Sequence, residues 1–200
     1  MPAADPYHTA LSRGVAADVD PVHYWRGPKG DLAMVWDLAK GHPRGPVCDL
    51  IYADLPWRPG YEAFNARAGH AGVPFLTFMQ AADRFAQEAR SRGAVALLTM
   101  SEVLAAKMMT PDRLIPVKLN GDRVGLAIYG EIRLEIVPGE PVEGLLHSLA
   151  AVHDRVLDPC CGYGRTARAF ARAGKRFTAT DINAGCIGRV VADAPSWMPE

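Results

Sequence analysis

The stretch that decides the fold is RVLDPCCGYGRTARAFARAGKRFTATDI, which covers residues 155–182. It begins with a short apolar run that ends at Asp158, turns through Gly162 and Gly164, and continues with the apolar spacing of a helix. A second apolar run then ends at Asp181. Strand, turn, helix and strand in this order form a βαβ unit, in which the two strands lie parallel in one sheet. The stretch therefore predicts an α/β fold.

The rest of the chain repeats this alternation of helices and apolar strands. The spacing predicts strands over residues 47–53, 94–100, 155–158 and 176–181, and helices over residues 31–40, 78–92, 102–109, 141–152 and 164–173. Asn120-Gly121 lies between two alternating runs within residues 114–137 and indicates a β-hairpin. Residues 58–74, which are rich in glycine, are predicted to form a long loop. The predicted fold class is α/β, with a doubly wound, mostly parallel sheet.

Composition limits what the chain can do. Its 200 residues carry 22 basic and 22 acidic side chains, so no global field draws it to nucleic acid or to an anionic membrane. No run approaches the ~20 apolar residues of a membrane span, and the N-terminus lacks the pattern of a secretion signal. We therefore expect a cytoplasmic protein with no membrane partner. The four cysteines lack the paired spacing of a zinc site or a disulfide framework, so we expect no metal.

The chain is predicted to contain a single domain. We place it at residues 28–192, between an N-terminal arm over residues 1–27 and a C-terminal tail over residues 193–200. The arm is rich in proline and glycine and shows no sustained periodicity.

The glycine turn is the first candidate ligand site, because open α/β sheets bind ligands beyond the carboxyl ends of their strands. Gly162 and Gly164 let the backbone approach a ligand, and Asp181, 19 residues after Gly162, can accept hydrogen bonds from ribose hydroxyls. The same pattern describes NAD-binding folds, which stay open as an alternative. Asp158 before the turn would repel a pyrophosphate and attract the ammonium of a methionine-like tail, so its charge favours S-adenosylmethionine.

The second candidate site is DLPW, residues 54–57, at the end of another apolar strand. Asp54 could accept a hydrogen bond from the amino group of a flat heterocycle while the Trp57 indole stacks on the ring. An ordinary turn also explains these residues: Asp54 would then cap backbone amides, and Trp57 would cover the edge of the core.

Together the two sites resemble the amino-group DNA methyltransferases, which act on adenine N6 or cytosine N4. VCDLIYADLPW, residues 47–57, is similar to their catalytic motif, commonly Asp-Pro-Pro followed by Tyr, Trp or Phe. RVLDPCCGYGRT is similar to their cofactor motif, commonly Asp-Pro-Phe-x-Gly-Ser-Gly-Thr. The order, catalytic motif first, is that of the circularly permuted β group, and the resemblance spans about residues 30–190. The chain departs from the motifs at Leu55, Cys160, Tyr163 and Arg165.

The resemblance implies a Rossmann-like class I methyltransferase fold and methyl transfer from S-adenosylmethionine to adenine N6 in DNA. Asp54 and the carbonyl of Leu55 would accept hydrogen bonds from the amine, and Trp57 would stack on the base after it is flipped out of the duplex. The implied catalytic residues are Asp54, Leu55, Pro56 and Trp57. The implied cofactor-binding residues are Asp31, Asp54, Asp158, Pro159, Cys160, Gly162, Gly164, Thr166, Asp181 and Ile182.

Nucleic-acid contacts are expected from Arg58, Arg67 and His70, which lie in the predicted loop beside the base. Few residues remain for a separate recognition domain, so we expect sequence selectivity to be short or weak, or to come from a homodimer or a partner protein. Three alternatives stay open: cytosine N4 in DNA, adenosine in RNA, and a non-catalytic methyltransferase-like subunit that binds nucleic acid. DLPW also resembles the motif of RNA adenosine methyltransferases, and the departures from the motifs keep the third alternative open.

Overall fold

Eight strands form a single sheet in the computed structural model, which describes residues 24–43, 48–56, 58–67, 69 and 73–198. The strands are β1 (Tyr24–Arg26), β2 (Leu32–Val35), β3 (Leu50–Asp54), β4 (Val95–Met100), β5 (Arg113–Leu119), β6 (Asp122–Tyr129), β7 (Arg155–Asp158) and β8 (Arg176–Asp181). Their order across the sheet is β1-β2-β8-β7-β3-β4-β6-β5. The five strands from β2 to β4 in this order run parallel, and the pairs at both edges are antiparallel. The predicted α/β class with a doubly wound, mostly parallel sheet is confirmed.

Helices cover both faces of the sheet. They are α1 (Arg58–Arg67), α2 (Phe75–Ser91), α3 (Glu102–Met108), α4 (Val142–Val152), α5 (Arg165–Arg172) and α6 (Ala184–Asp193), with short 3₁₀ helices at Leu38–Lys40 and Ala194–Ser196. Side chains alternate along the strands, so Leu50 and Tyr52 of β3 pack on the face of α4, α5 and α6, whereas Ile51 and Ala53 pack on the face of α1, α2 and α3. None of the described helices combines the length and hydropathy needed to cross a membrane.

Two of the predicted elements are wrong. Leu32–Val35 forms β2, parallel to β8, rather than the start of a helix over residues 31–40. A short apolar run that is buried on both faces has no spacing that separates a strand from a helix. Residues 58–67 form α1 rather than a loop, because Tyr61 packs on Phe78 of α2 with 4.7 Å between ring centroids. The proline of α1 lies in its first turn, where proline is tolerated.

The packed structure extends past residues 28–192. β1, within the expected arm, pairs with β2 in the sheet. Trp197, within the expected tail, is buried and packs on Phe177 with 6.3 Å between ring centroids. The apolar core therefore includes side chains from the predicted arm, residues 1–27, and from the predicted tail, residues 193–200.

β7 lies at the centre of the sheet although it is seventh in chain order. The chain leaves β7 through α5 towards β8 on one side, and it leaves β3 through α1 and α2 towards β4 on the other. The two connections diverge between β7 and β3, and this divergence creates a crevice beyond the carboxyl ends of the strands, where open α/β sheets bind ligands.

Gly164 fixes how α5 leaves this crevice. Its φ is 80°, and an added Cβ would lie 2.7 Å from the Trp197 ring and 3.0 Å from Val190. We predict that Gly164→Ala lowers the free energy of unfolding by about 2–5 kcal/mol, through left-handed strain and overpacking together. Gly174→Ala is the matched control, because φ there is 72° but a Cβ would meet nothing within 4 Å, so a loss of only about 1–2 kcal/mol is expected. Urea unfolding measures both losses, and equal values would contradict the prediction.

Candidate active site

Three carboxylates end three adjacent parallel strands at the crevice: Asp54 on β3, Asp158 on β7 and Asp181 on β8. All three line one cavity of about 850 Å³. This size is typical of sites that bind small molecules and cofactors. The two candidate sites that the sequence places about 100 residues apart are therefore parts of one site.

The cavity brings together most of the predicted site residues. It is lined by Asp54, Leu55, Pro56, Asp158, Pro159, Cys160, Gly162, Thr166, Asp181 and Ile182. Gly164 does not line it and packs against the core instead. The predictions for Trp57 and His70 lie outside the described residues, as do those for the side chains of Arg58 and Arg67, whose backbone belongs to α1.

Asp31 does not reach the cavity, so the expected contact between Asp31 and a cofactor is wrong. It precedes β2 at the opposite, amino-terminal edge of the sheet, where it is fully buried and its Oδ1 accepts a hydrogen bond from the Phe177 N–H at 3.1 Å. Asp37, just beyond the carboxyl end of β2, lines the cavity instead, and its Oδ1 accepts from the Ala39 N–H at 2.9 Å. Asp37 was not predicted as a site residue because it lies within the helix predicted over residues 31–40. Had this segment been predicted as a strand, the position of Asp37 just beyond its end would have indicated a site residue.

The backbone of the glycine turn holds two of the carboxylates in place. Asp181 Oδ2 accepts a hydrogen bond from the Gly162 N–H at 2.9 Å, and its Oδ1 accepts one from the Asn183 N–H at 2.8 Å. Asp158 Oδ1 accepts from the Cys160 N–H at 3.1 Å. Gly162 lines the cavity with φ 49°, and a Cβ there would meet nothing within 4 Å. The backbone of the turn is therefore open to a ligand.

Burial raises the pKa of all three carboxyl groups. Desolvation of Asp158, which is 3% exposed, raises its pKa to about 7, and the neighbouring charges of Asp54 and Asp181 act in the same direction. Desolvation raises the pKa of Asp181 to about 6, against the two backbone hydrogen bonds that lower it. Burial also raises the pKa of Asp54, which the Thr99 hydroxyl and the Arg165 charge partly offset. A cluster of carboxylates desolvated by the surrounding protein favours a cationic ligand.

Thr99 of β4 holds both Asp54 and Leu55. Its Oγ1 donates a hydrogen bond to Asp54 Oδ1 at 3.0 Å, and its carbonyl oxygen accepts one from the Leu55 N–H at 3.0 Å. Proline at position 55 would have no N–H to donate. In this chain the leucine therefore adds a backbone bond that fixes the turn, at the position where the methyltransferase motif has a rigid proline.

The opposite wall of the cavity comes from the segment that was predicted to be a loop. Tyr61 of α1 packs at a tilt against Phe78 of α2, and its hydroxyl donates to the Val73 carbonyl at 2.6 Å. Asn65, only 5% exposed, lines the cavity beside it and donates from Nδ2 to the Tyr61 carbonyl at 3.1 Å. Aromatic rings next to an amide suit a flat ligand with a polar edge. The proline and glycine at the start of α1 are typical of a loop, so the sequence did not predict this wall of the cavity.

Acidic groups outnumber basic groups among the described residues that line the cavity. The carboxylates are Asp37, Asp54, Asp158, Asp181 and Asp193, and the guanidinium groups are Arg165, Arg168 and Arg189. This excess disfavours a pyrophosphate and favours a ligand with ammonium or sulfonium charge. The arrangement can thus bind a cation at the glycine turn and accept hydrogen bonds from an amine at Asp54.

The raised pKa values predict how stability depends on pH. Because Asp158 and Asp181 bind protons more tightly when folded than when unfolded, stability should fall as the pH rises from about 4 through 6 and 7 and then level off. Each additional proton bound by the folded protein changes the free energy of unfolding by about 1.4 kcal/mol per pH unit.

Asp158→Asn should flatten this slope and raise stability at pH 7.5. Asp122→Asn, on an exposed hairpin carboxylate, is the control. Urea unfolding at pH 5 to 8 measures the slope, and an unchanged slope in Asp158→Asn would contradict the assignment.

Comparison with solved structures identifies the fold. A candidate DNA modification methylase from Thermus thermophilus, crystallised with S-adenosyl-L-methionine, superposes with a TM-score of 0.53 at 15% identity, over 82% of this chain and 93% of that chain. The selenomethionine derivative of the same methylase gives a TM-score of 0.52 at 15% identity, over 82% and 94%. Neither a family model nor a curated protein matches the chain. The protein therefore has the Rossmann-like methyltransferase fold, as its motifs predict.

Proposed function

We propose that this protein transfers a methyl group from S-adenosylmethionine to the exocyclic amine of a nucleobase, adenine N6 in DNA, as a permuted methyltransferase of the β group. The observation that carries the proposal is that Asp54 and Leu55 share one cavity with the glycine turn between Asp158 and Asp181. A methyl donor at the turn and a base at Asp54 would meet in one dry site, where proximity and orientation lower the barrier to transfer.

The glycine turn supplies the groups that hold the donor. S-adenosylmethionine brings an electrophilic methyl group on a positively charged sulfur. Asp181 accepts hydrogen bonds from the ribose hydroxyls, since each of its oxygens has a lone pair beyond those used by the backbone. Asp158 attracts the ammonium group, and Asp37 accepts from the amino group of the adenine. Asp37 thus replaces Asp31 among the cofactor-binding residues that the resemblance implies.

Asp54 and the carbonyl of Leu55 prepare the nucleophile. The lone pair of an exocyclic amine is delocalised into the ring, so the amine is a weak nucleophile. Two acceptors on its N–H groups draw the nitrogen towards tetrahedral geometry and stabilise the positive charge that develops during attack. The raised pKa of Asp54 makes this carboxylate a better acceptor and a suitable recipient for the proton that is released after transfer.

The wall of α1 and α2 receives the base in this proposal. Tyr61, Asn65 and Phe78 provide two aromatic rings and an amide on one side. Trp57 of the catalytic motif is proposed to stack on the base. Enzymes that act on a base inside a duplex must extrude it, and a pocket lined by aromatic groups compensates for the stacking that is lost.

Phosphate contacts come from the residues that follow the catalytic motif. We assign them to Arg58, Arg67 and His70, which position the strand without reading its sequence. The neutral chain has no large basic excess to grip DNA unaided. A homodimer or a partner protein would therefore supply the remaining affinity and selectivity.

Methyl transfer is the direct test. We predict that the purified protein transfers a labelled methyl group from S-adenosylmethionine to duplex DNA, and that nucleoside analysis identifies N6-methyldeoxyadenosine. Asp54→Asn should lower kcat by about 10²–10³-fold, because it removes a charged acceptor from the transition state. Asp122→Asn should keep the full rate.

The methylated nucleosides that are found distinguish between the alternative target bases and nucleic acids. N4-methyldeoxycytidine would contradict the adenine target, and label in RNA alone would contradict DNA as the substrate. No incorporation into duplex DNA, single-stranded DNA or RNA would contradict catalysis and favour a non-catalytic subunit.

The class of cofactor is tested by calorimetry. We expect S-adenosylmethionine to bind and NAD not to bind, because the acidic cavity repels a pyrophosphate. A cation beside Asp158, whose pKa is about 7, will displace its proton, so the heat of binding at pH 6.5 should depend on the ionisation enthalpy of the buffer. In the Asp158→Asn variant, the heat of binding should no longer include the buffer-dependent contribution from the Asp158 proton. Tighter binding of NAD than of S-adenosylmethionine would contradict the assignment.

A further inference from the structure

Two buried hydrogen-bond donors in the cavity wall are not satisfied by the described residues. The hydroxyl of Tyr52, a residue only 1% exposed, interacts with the Thr99 side chain but makes no hydrogen bond of acceptable geometry with the described residues. Nη1 of Arg165 is buried and makes none either, although the carboxylate of the exposed Glu143 lies 3.5 Å away. Buried polar groups in native proteins are normally satisfied. Two such donors in one ligand cavity indicate that the ligand brings the acceptor.

Both donors lie on the same side of the cavity. Tyr52 packs on the face of the sheet covered by α4, α5 and α6, and Arg165 is the first residue of α5. The Arg165 charge acts on the Tyr52 hydroxyl and on Asp54. Arg165 is held from two directions, because Nη2 donates to Asn120 Oδ1 of the β5–β6 hairpin at 3.0 Å and Nη1 faces Glu143 of α4. The guanidinium group is therefore positioned before any ligand arrives.

The chemistry of the two donors selects an anion. Burial raises the pKa of the Tyr52 hydroxyl well above its ordinary value, so the phenol stays protonated and donates. A guanidinium group beside it adds a fixed positive charge and matches the geometry of a carboxylate. Asp54 and Asp158 border the same space and favour a cation. Donors and carboxylates that border one space suit a zwitterion, such as the amino-acid group of a ligand.

We propose that Tyr52 and Arg165 form the subsite that binds the α-carboxylate of the cofactor's amino-acid group, while Asp158 takes its ammonium. The inference rests on the proposed function, and it names the residues that make binding depend on that carboxylate. The related motif has a threonine at the position of Arg165, so this chain replaces a neutral hydroxyl with a cation. Arg165 lines the cavity and its Nη1 is buried, so this atom suits a small ligand in the cavity better than a backbone phosphate at the surface.

The test compares two ligands that differ only in the carboxylate. S-adenosylhomocysteine carries it, and the decarboxylated analogue S-adenosyl-3-thiopropylamine keeps the adenosine, the sulfur and the amine. We expect Arg165→Met to weaken the binding of S-adenosylhomocysteine by about 10–100-fold, as for the loss of a charged hydrogen bond. The binding of the analogue should weaken by less than about 3-fold. Tyr52→Phe should show the same selectivity at about 3–10-fold. Arg165→Lys should recover part of the preference.

Arg172→Met is the matched control, because Arg172 is exposed on the same helix and does not line the cavity. Thermal unfolding confirms that each variant is folded before its affinity is compared. The inference is overturned, while the proposed function stands, if the wild-type protein binds S-adenosylhomocysteine and the variants bind both ligands equally more weakly. The same holds if the variants bind both ligands as tightly as the wild-type protein does. If the variants impair only DNA binding, Arg165 is a phosphate contact and the inference is again overturned. If the unchanged protein does not bind S-adenosylhomocysteine at all, both proposals fail.

Discussion

The hydrogen bond from the Gly162 N–H to Asp181 joins the ends of two strands into one site. At 2.9 Å it ties the turn after β7 to the last residue of β8, and the Cys161 N–H adds a second link to the Thr180 carbonyl at 3.0 Å. The backbone reaches this position through a positive φ at Gly162. Asp181 is almost fully buried, so its charge is tolerated because backbone donors replace the lost water. The placement of Asp158 and the start of α5 both follow from this turn.

Burial of the carboxylates links stability to chemistry. Asp54, Asp158 and Asp181 lie at adjacent strand ends, and desolvation raises the pKa of each. In the ligand-free protein this arrangement opposes folding near neutral pH, since the charged carboxylates are partly desolvated by burial. The same carboxylates favour a cation that offsets their charge. Functional sites often retain such locally unfavourable features because the chemistry depends on them.

Much of the fold could be predicted from the sequence, because β3, β4, β7 and β8 are apolar runs with clear turn signals at their ends. The prediction failed where tertiary contacts decide the local structure. Leu32–Val35 is a strand because β8 lies beside it, and α1 is a helix because it packs on α2. These two errors also concealed the site residues: Asp37 lay inside a wrongly predicted helix, and Asn65 inside a wrongly predicted loop. The placement of Tyr52 and Arg165 in one cavity depends on sheet order, which no local pattern contains.

The departures from the methyltransferase motifs bear on whether the site is active. The surroundings accommodate three of the four departures, whereas Tyr163 is exposed. Leu55 gains a backbone bond to Thr99, and Arg165 is held by Asn120 and Glu143. Cys160 packs at the edge of the core on the face of α1 and α2 and still lines the cavity. Such consistency across distant segments of the chain holds the cavity in the arrangement that the proposed methyl transfer uses.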